Sequence, residues 1–216
     1  MNIVYGAFAD EYAVSLEGQI EGLVKNNFEY IEIRFVDGKN IAEIDSESAK
    51  CINEALKENG ISVFSIGSPI GKIDITDDLG KHIDIFERIC NCANVLESKY
   101  IRMFSFYNRN GQPGEEFRKV AFKRVEMLLD LADRYGVTLC HENEEGIYGE
   151  APERCLDLLK GFEGRLRCVF DMGNFVLKGY DPLKAYELLY EYLSTSILRM
   201  EQRMEESQCQ DTDRQG

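Results

Sequence analysis

The chain has no tryptophan, only four prolines and only two histidines in 216 residues. It is poor in basic charge, with 25 Lys and Arg against 39 Asp and Glu, a net charge of −14 at pH 7. A surface of that sign repels phosphate backbones, which argues against nucleic acid as a partner. No apolar run approaches the ~20 residues that a membrane-spanning helix requires. The first residues lack a basic stretch followed by a long apolar one. Neither membrane insertion nor export is therefore expected, and a cytoplasmic location is. No C-x-x-C pair occurs among the seven cysteines, whose number is odd. In a reducing compartment they read as small core residues, and Cys90 with Cys92 is too isolated a pair for zinc.

What is present is a core and a repeat. Hydrophobic residues make up 44% of the chain, enough for one domain. Short apolar runs over 3–8, 30–35, 61–68, 100–107, 137–142 and 167–171 read as buried strands. Helical patterns lie between them, near 15–26, 46–59, 79–96, 115–135, 152–161 and 182–193. The stripe Phe117, Val120, Ala121, Val125, Leu128, Leu129 and Ala132 is the clearest of these. Asp181 before Pro182 supplies an N-cap and a preset first turn. Consecutive βα units force parallel strands with right-handed crossovers.

Length favours a doubly wound open sheet; strand parity favours a closed barrel. Glu32 and Arg34 alternate with Ile31, Ile33 and Phe35. Arg102 alternates with Ile101 and Met103, and Glu142 lies opposite Val137 and Leu139 in phase. Central strands of an open sheet are apolar on both faces, whereas a barrel interior can open onto a polar site. The expected fold class is α/β, a (β/α)8 TIM barrel that is incomplete, spanning residues 1–193, with residues 194–216 as a polar tail.

Polar residues collect where strands end, the end that carries the active site in such barrels. Glu142 and Asp171 close adjacent predicted strands. Two carboxylates so placed can share a divalent cation or raise each other's pKa; a solvated acidic loop beside a helix-capping Asp is the other reading. Glu32 and Arg34 suit a sugar hydroxyl or phosphate, or an internal ion pair. The segment Gly67-Ser-Pro-Ile-Gly-Lys72 is one residue short of a phosphate loop. It reads as a strand-to-turn junction whose backbone amides could still meet a phosphate. Ser68, Lys72, Arg102, Phe104, Asn143, Glu144 and Asn174 complete the candidate substrate contacts. His82 reads as a surface helix residue, and His141 as packing behind the site rather than binding metal.

Tyr30-Ile-Glu-Ile-Arg34, Ile66-Gly-Ser-Pro-Ile-Gly-Lys-Ile73, Tyr100-Ile-Arg-Met-Phe-Ser-Phe-Tyr107, His141-Glu-Asn-Glu144 with Ile147-Tyr-Gly149, and Phe170-Asp-Met-Gly-Asn-Phe175 together resemble the sugar phosphate isomerase/epimerase group of xylose isomerase-like barrels. The resemblance covers about residues 1–193. It implies eight strands and one divalent metal (Mn, Mg, Zn or Co). Glu142 and Asp171 are then ligands, joined by a His and a Glu from strands seven and eight. It implies a sugar or sugar phosphate substrate and proton movement next to a carbonyl, with Glu142 as ligand and catalytic base. Related ketose epimerases carry a His where this chain has Asn174.

The family pattern stops near Leu193. From Glu201 onward only Met204 and Cys209 are even mildly apolar. Codons permitted for Ser194–Gly216, read in a shifted frame, spell H-I-K-D and V-P-G-x-G, which resemble the family's seventh strand and its loop. A frameshift near Leu193 is therefore expected, leaving an impaired enzyme with open sheet edges prone to self-association as a homo-oligomer. The alternatives are a non-catalytic sugar-binding fragment, or an abasic-site endonuclease-like hydrolase, which the scarcity of His and of basic charge disfavours.

Overall fold

The computed structural model describes residues 5–162 and 164–197. In chain order the elements are β1 (Gly6–Ala7), α1 (Leu16–Lys25), β2 (Tyr30–Ile33), a small hairpin of β3 (Phe35–Val36) and β4 (Lys39–Asn40), α2 (Ser46–Glu58), β5 (Ser62–Gly67), α3 (Leu79–Val95), β6 (Tyr100–Met103), α4 (Gly114–Tyr135), β7 (Thr138–Glu142), α5 (Pro152–Gly161), β8 (Leu166–Asp171), α6 (Met172–Leu177), α7 (Pro182–Leu189) and β9 (Leu193–Ile197). Local chemistry fixes the helix starts. Ser15, Asp45, Asp78 and Asp181 each accept a hydrogen bond from a first-turn amide with their side chains. Gly136, at φ 67°, ends α4 in the left-handed conformation that lets the chain turn directly into β7.

The main sheet runs β1-β2-β5-β6-β7-β8-β9, and every neighbouring pair is parallel. Spatial order follows chain order, so there is no point at which the winding reverses, as a doubly wound sheet would require. Successive right-handed crossovers then lay all helices on one face and curl the sheet about the other. Seven of the eight strands of a TIM barrel are thus present among the described residues.

The two faces differ as the parity predicts. The large apolar core, with Ile31, Ile33, Ile66, Ile101, Met103, Leu139, Cys168 and Phe170, lies between sheet and helices. Among the described residues, the other face carries a small cluster of Cys140 and Val169 with Phe8 and Tyr100, together with Glu32, Ser65, Arg102, Glu142 and Asp171.

Several expectations are corrected. Residues 3 and 4 of the first predicted strand lie outside the described residues. Strand 100–107 stops at Met103, and Phe106 adopts φ 68°. The hairpin β3–β4 and the short helix α6 were not anticipated. Helix 182–193 ends at Leu189, followed by one 3-10 turn. Residues 194–197 do not begin the tail: they form β9, paired in parallel with β8. Arg167 reaches Leu193 O and Ser194 Oγ, both at 3.3 Å, and clips this strand down. The rest of the expected tail, and the frameshift placed there, lie outside the described residues.

Candidate active site

The polar layer follows from strand register. Glu32 is registered with Ser65, Gly67 with Arg102, Arg102 with Cys140, and Glu142 with Val169. From β2 to β5, from β6 to β7 and from β7 to β8, the next member of the layer (Gly67, Glu142, Asp171) stands two residues beyond the registered partner. Two residues are about 6–7 Å of strand. This stagger is what tilted barrel strands produce, and it brings residues at different registers to one level. Glu142 and Asp171 therefore share the mouth without facing each other across the ladder.

Arg102 is the hub of this layer. Its Nη1 lies 2.8 Å from Glu142 Oε2 and its Nε 3.4 Å from Glu32 Oε1, and all three side chains are buried. Its guanidinium carbon is 5.5 Å from the Phe8 ring centre and 5.4 Å from that of Phe104. Burial raises the Glu142 pKa to about 7; Asp171 and Glu32 push the same way and Arg102 opposes them. Burial likewise raises Glu32, against the pull of Arg102 and Arg34. Gly67 makes room for the cluster. A Cβ there would meet Arg34 Cγ at 2.4 Å and Glu32 Oε1 at 2.9 Å.

The other predicted residues fall into two groups. Arg34 pairs with Asp10 and Glu11, both at 2.9 Å, and lies over the Phe8 ring. Lys72 pairs with Glu144 at 2.9 Å and sits 4.2 Å from the Phe104 ring centre. These line the mouth. Ser68, Asn143 and Asn174, also expected as substrate contacts, tie strand ends together. Ser68 Oγ donates to Arg102 O and accepts from Ile70 N. Asn143 accepts from Asp171 N and donates to Asp171 O, both at 2.9 Å. Asn174 donates through its side chain to Asn143 O and through its backbone to Asp171 Oδ1. Buried Asp171 is held by its own backbone and by this helix start.

His82 is not at the surface. It is buried, and its Nε2 accepts from Gly71 N at 2.7 Å. Burial lowers its pKa to about 4, with Arg124 adding to the effect. A helix pattern cannot reveal this, because the bond spans two elements. His141 packs on the helix side of β7, with Nε2 2.9 Å from Ser105 Oγ, and burial lowers its pKa to about 3. Sequence reasoning missed Phe8, Asp10 and Glu11. Their only signal was a position just after a strand that is two residues long here.

Among the described residues, no group of three or more His, Cys, Asp or Glu could hold a metal ion. Glu142 is directed at Arg102 instead. Among the described residues, Glu142 and Asp171 alone do not make up a metal's ligand set.

A curled parallel βα sheet with buried carboxylates at its strand ends defines a barrel of the TIM class. The chain belongs to the family of xylose isomerase-like TIM barrels, whose pattern matches residues 20–207. No curated protein sequence matches it. Among solved structures, the probable 3-DHS dehydratase AsbF from Bacillus anthracis is similar over 91% of this chain and 72% of its own, with a TM-score of 0.74 and 18% identity. The 3-keto-D-glucoside 4-epimerase YcjR from E. coli is similar over 91% and 78%, with a TM-score of 0.71 and 14% identity. A xylose isomerase-like TIM barrel protein from Mycobacterium smegmatis in complex with magnesium is similar over 90% and 74%, with a TM-score of 0.69 and 17% identity. At these identities the likeness concerns the fold.

Proposed function

We propose that the chain carries the proton-transfer site of a sugar isomerase or epimerase, acting next to a carbonyl. The observation that carries this reading is the ion-paired row Glu32–Arg102–Glu142, buried at the strand ends. A base poised near neutral pH suits removal of a weakly acidic C–H proton, and Glu142, with its pKa near 7, is so poised. Negative charge then develops on the carbonyl oxygen. A buried guanidinium is a preorganised partner for that charge, and Arg102 would supply it. Glu32, on the other side of Arg102, is the second carboxylate through which a proton could return. Phe8, half-buried at the mouth, would offer an apolar face to a sugar ring, while Phe104 is buried beneath Lys72 and backs the site.

The epimerase among the similar structures supports this chemistry, and the dehydratase widens the substrates to try. A divalent metal belongs to the same reading: Glu142 and Asp171 would be two of its ligands, and it would stabilise the negative charge on the carbonyl oxygen. It would have to displace Arg102 from Glu142 and find further ligands outside the described residues.

The test is solvent deuterium incorporation beside the carbonyl of free and phosphorylated ketoses and aldoses, followed by NMR. Exchange is expected, and Glu142→Gln is expected to lower it by about 10²–10⁴-fold. Equal exchange in the folded E142Q protein would remove Glu142 from the role of base.

A further inference from the structure

The sequence leaves open whether the substrate carries a phosphate. The mouth is specific on this point. Each of the cations Arg34, Lys72 and Arg102 is already held by carboxylates: Arg34 by Asp10 and Glu11, Lys72 by Glu144, and Arg102 by Glu32 and Glu142. With Asp171, six carboxylates stand against these three cations. Arg109, farther out and exposed, lies against the Tyr107 ring, and its backbone amide donates to Asp74.

The loop after β5 is the one segment with the look of a phosphate loop, and its amides are spent. Ser68 N donates to Ile66 O, Ile70 N to Ser68 Oγ, Gly71 N to His82 Nε2, and Lys72 N to Pro69 O. Position 69 is proline and has no amide hydrogen. Gly71 has its own structural reason. At φ 88° it lets the loop pass so close to β6 that a Cβ would sit 1.8 Å from Phe104 O. The glycines of this loop therefore serve backbone packing, and no ring of free N–H groups points at the mouth. A phosphate dianion entering here would meet excess negative charge and would have to break existing ion pairs to find a cation.

We infer that the site selects an uncharged polyhydroxylated carbonyl compound, a free sugar, and discriminates against its phosphorylated form. Hydroxyl groups can share the paired carboxylates and guanidinium as acceptors and donors without unpairing them. Phe8, half-buried and flanked by Arg34 and Arg102, gives the apolar face of a sugar ring a surface already backed by cations. Discrimination here comes from repulsion as much as from attraction.

The inference rests on the proposed function, and the experiment separates the two. Ligand-observed NMR on the full chain would compare binding of free ketohexoses and aldohexoses with that of their 6-phosphates, with the exchange assay run in parallel. The free sugars are expected to bind at least about 10-fold more tightly, about 1.4 kcal/mol. Glu144→Gln, which releases Lys72 at an exposed position, is expected to narrow that gap. Tighter binding of the phosphorylated sugar with exchange intact would overturn this inference alone. Failure of either form to bind or exchange would overturn it together with the proposed function. An unchanged gap in E144Q would show that charge at the mouth does not set the preference, and would overturn it as well.

Discussion

Strands β5 to β8 and the two ends of the sheet make an instructive contrast. In the middle strands both faces are filled. Ile66, Ile101, Leu139 and Phe170 meet the helices, while Ser65, Arg102, Glu142 and Asp171 on the other face are equally buried. At the β1 end, Tyr5 and Val14 are 69% and 68% exposed. Beside β9, Leu177 and Leu183 are 63% and 65% exposed, with Val176, Tyr186 and Tyr190 also open. The same kinds of residue are thus worth very different amounts by position. A charge inside the middle of the sheet is expensive and must be paired, whereas an apolar side chain at the flank contributes little to this fold.

The largest way to break that contrast is at its hub. Arg102→Met leaves Glu32 and Glu142 buried without their cation. A loss of about 3–5 kcal/mol is expected at pH 8, measured by urea unfolding, and less at pH 5, where the carboxylates can protonate. A loss below about 1 kcal/mol at pH 8 would mean the pairs are not buried as described. Next is Asn143→Ala, which strips partners from both backbone groups of Asp171. About 1–3 kcal/mol is expected for the loss of these two buried hydrogen bonds, measured by urea unfolding.

The third prediction concerns pH. The folded pKa of Glu142, about 7, lies above its ordinary 4.5. Between these values the folded protein holds a proton that the unfolded chain has lost. Its contribution to stability is therefore present at low pH and is lost as pH rises through about 7. Melting temperature should fall across this window, less steeply in Glu142→Gln, while exchange by the wild-type chain rises as the base ionises. A parallel slope in E142Q would assign the titration elsewhere. The smallest effect is expected at the flank. Leu183→Ser should change stability by no more than about 0.5 kcal/mol. A larger loss that grows with protein concentration would show the flank to be covered by a second copy.

Much of the site was legible beforehand because strands have a period of two. Glu32, Arg102 and Glu142 could be set on one face from alternation alone, and Asp171 could be placed at a strand end. Partners could not be read this way. Ser68 and Asn143 stand out in the sequence as polar residues at strand ends, with no local pattern that names their partners. The fold uses them on backbone groups 34 and 28 residues distant. His82 was misread for the same reason, since Gly71, its donor, belongs to another element. The strand at Leu193–Ile197 escaped notice because the polar pattern of its serines and threonine gives no alternation. Its pairing comes from the open edge of β8.

The sequence by itself determined the repeat of strand and helix, the parallel order and the parity of the charged residues. These depend on local periodicity and on the short reach of a βα connection. Only the tertiary structure decided which charges meet. Strand stagger, a property of the tilted sheet as a whole, moves Glu142 and Asp171 along the ladder and brings Arg102 between Glu32 and Glu142. No local pattern encodes that displacement, and it turns a row of buried charges into a paired site.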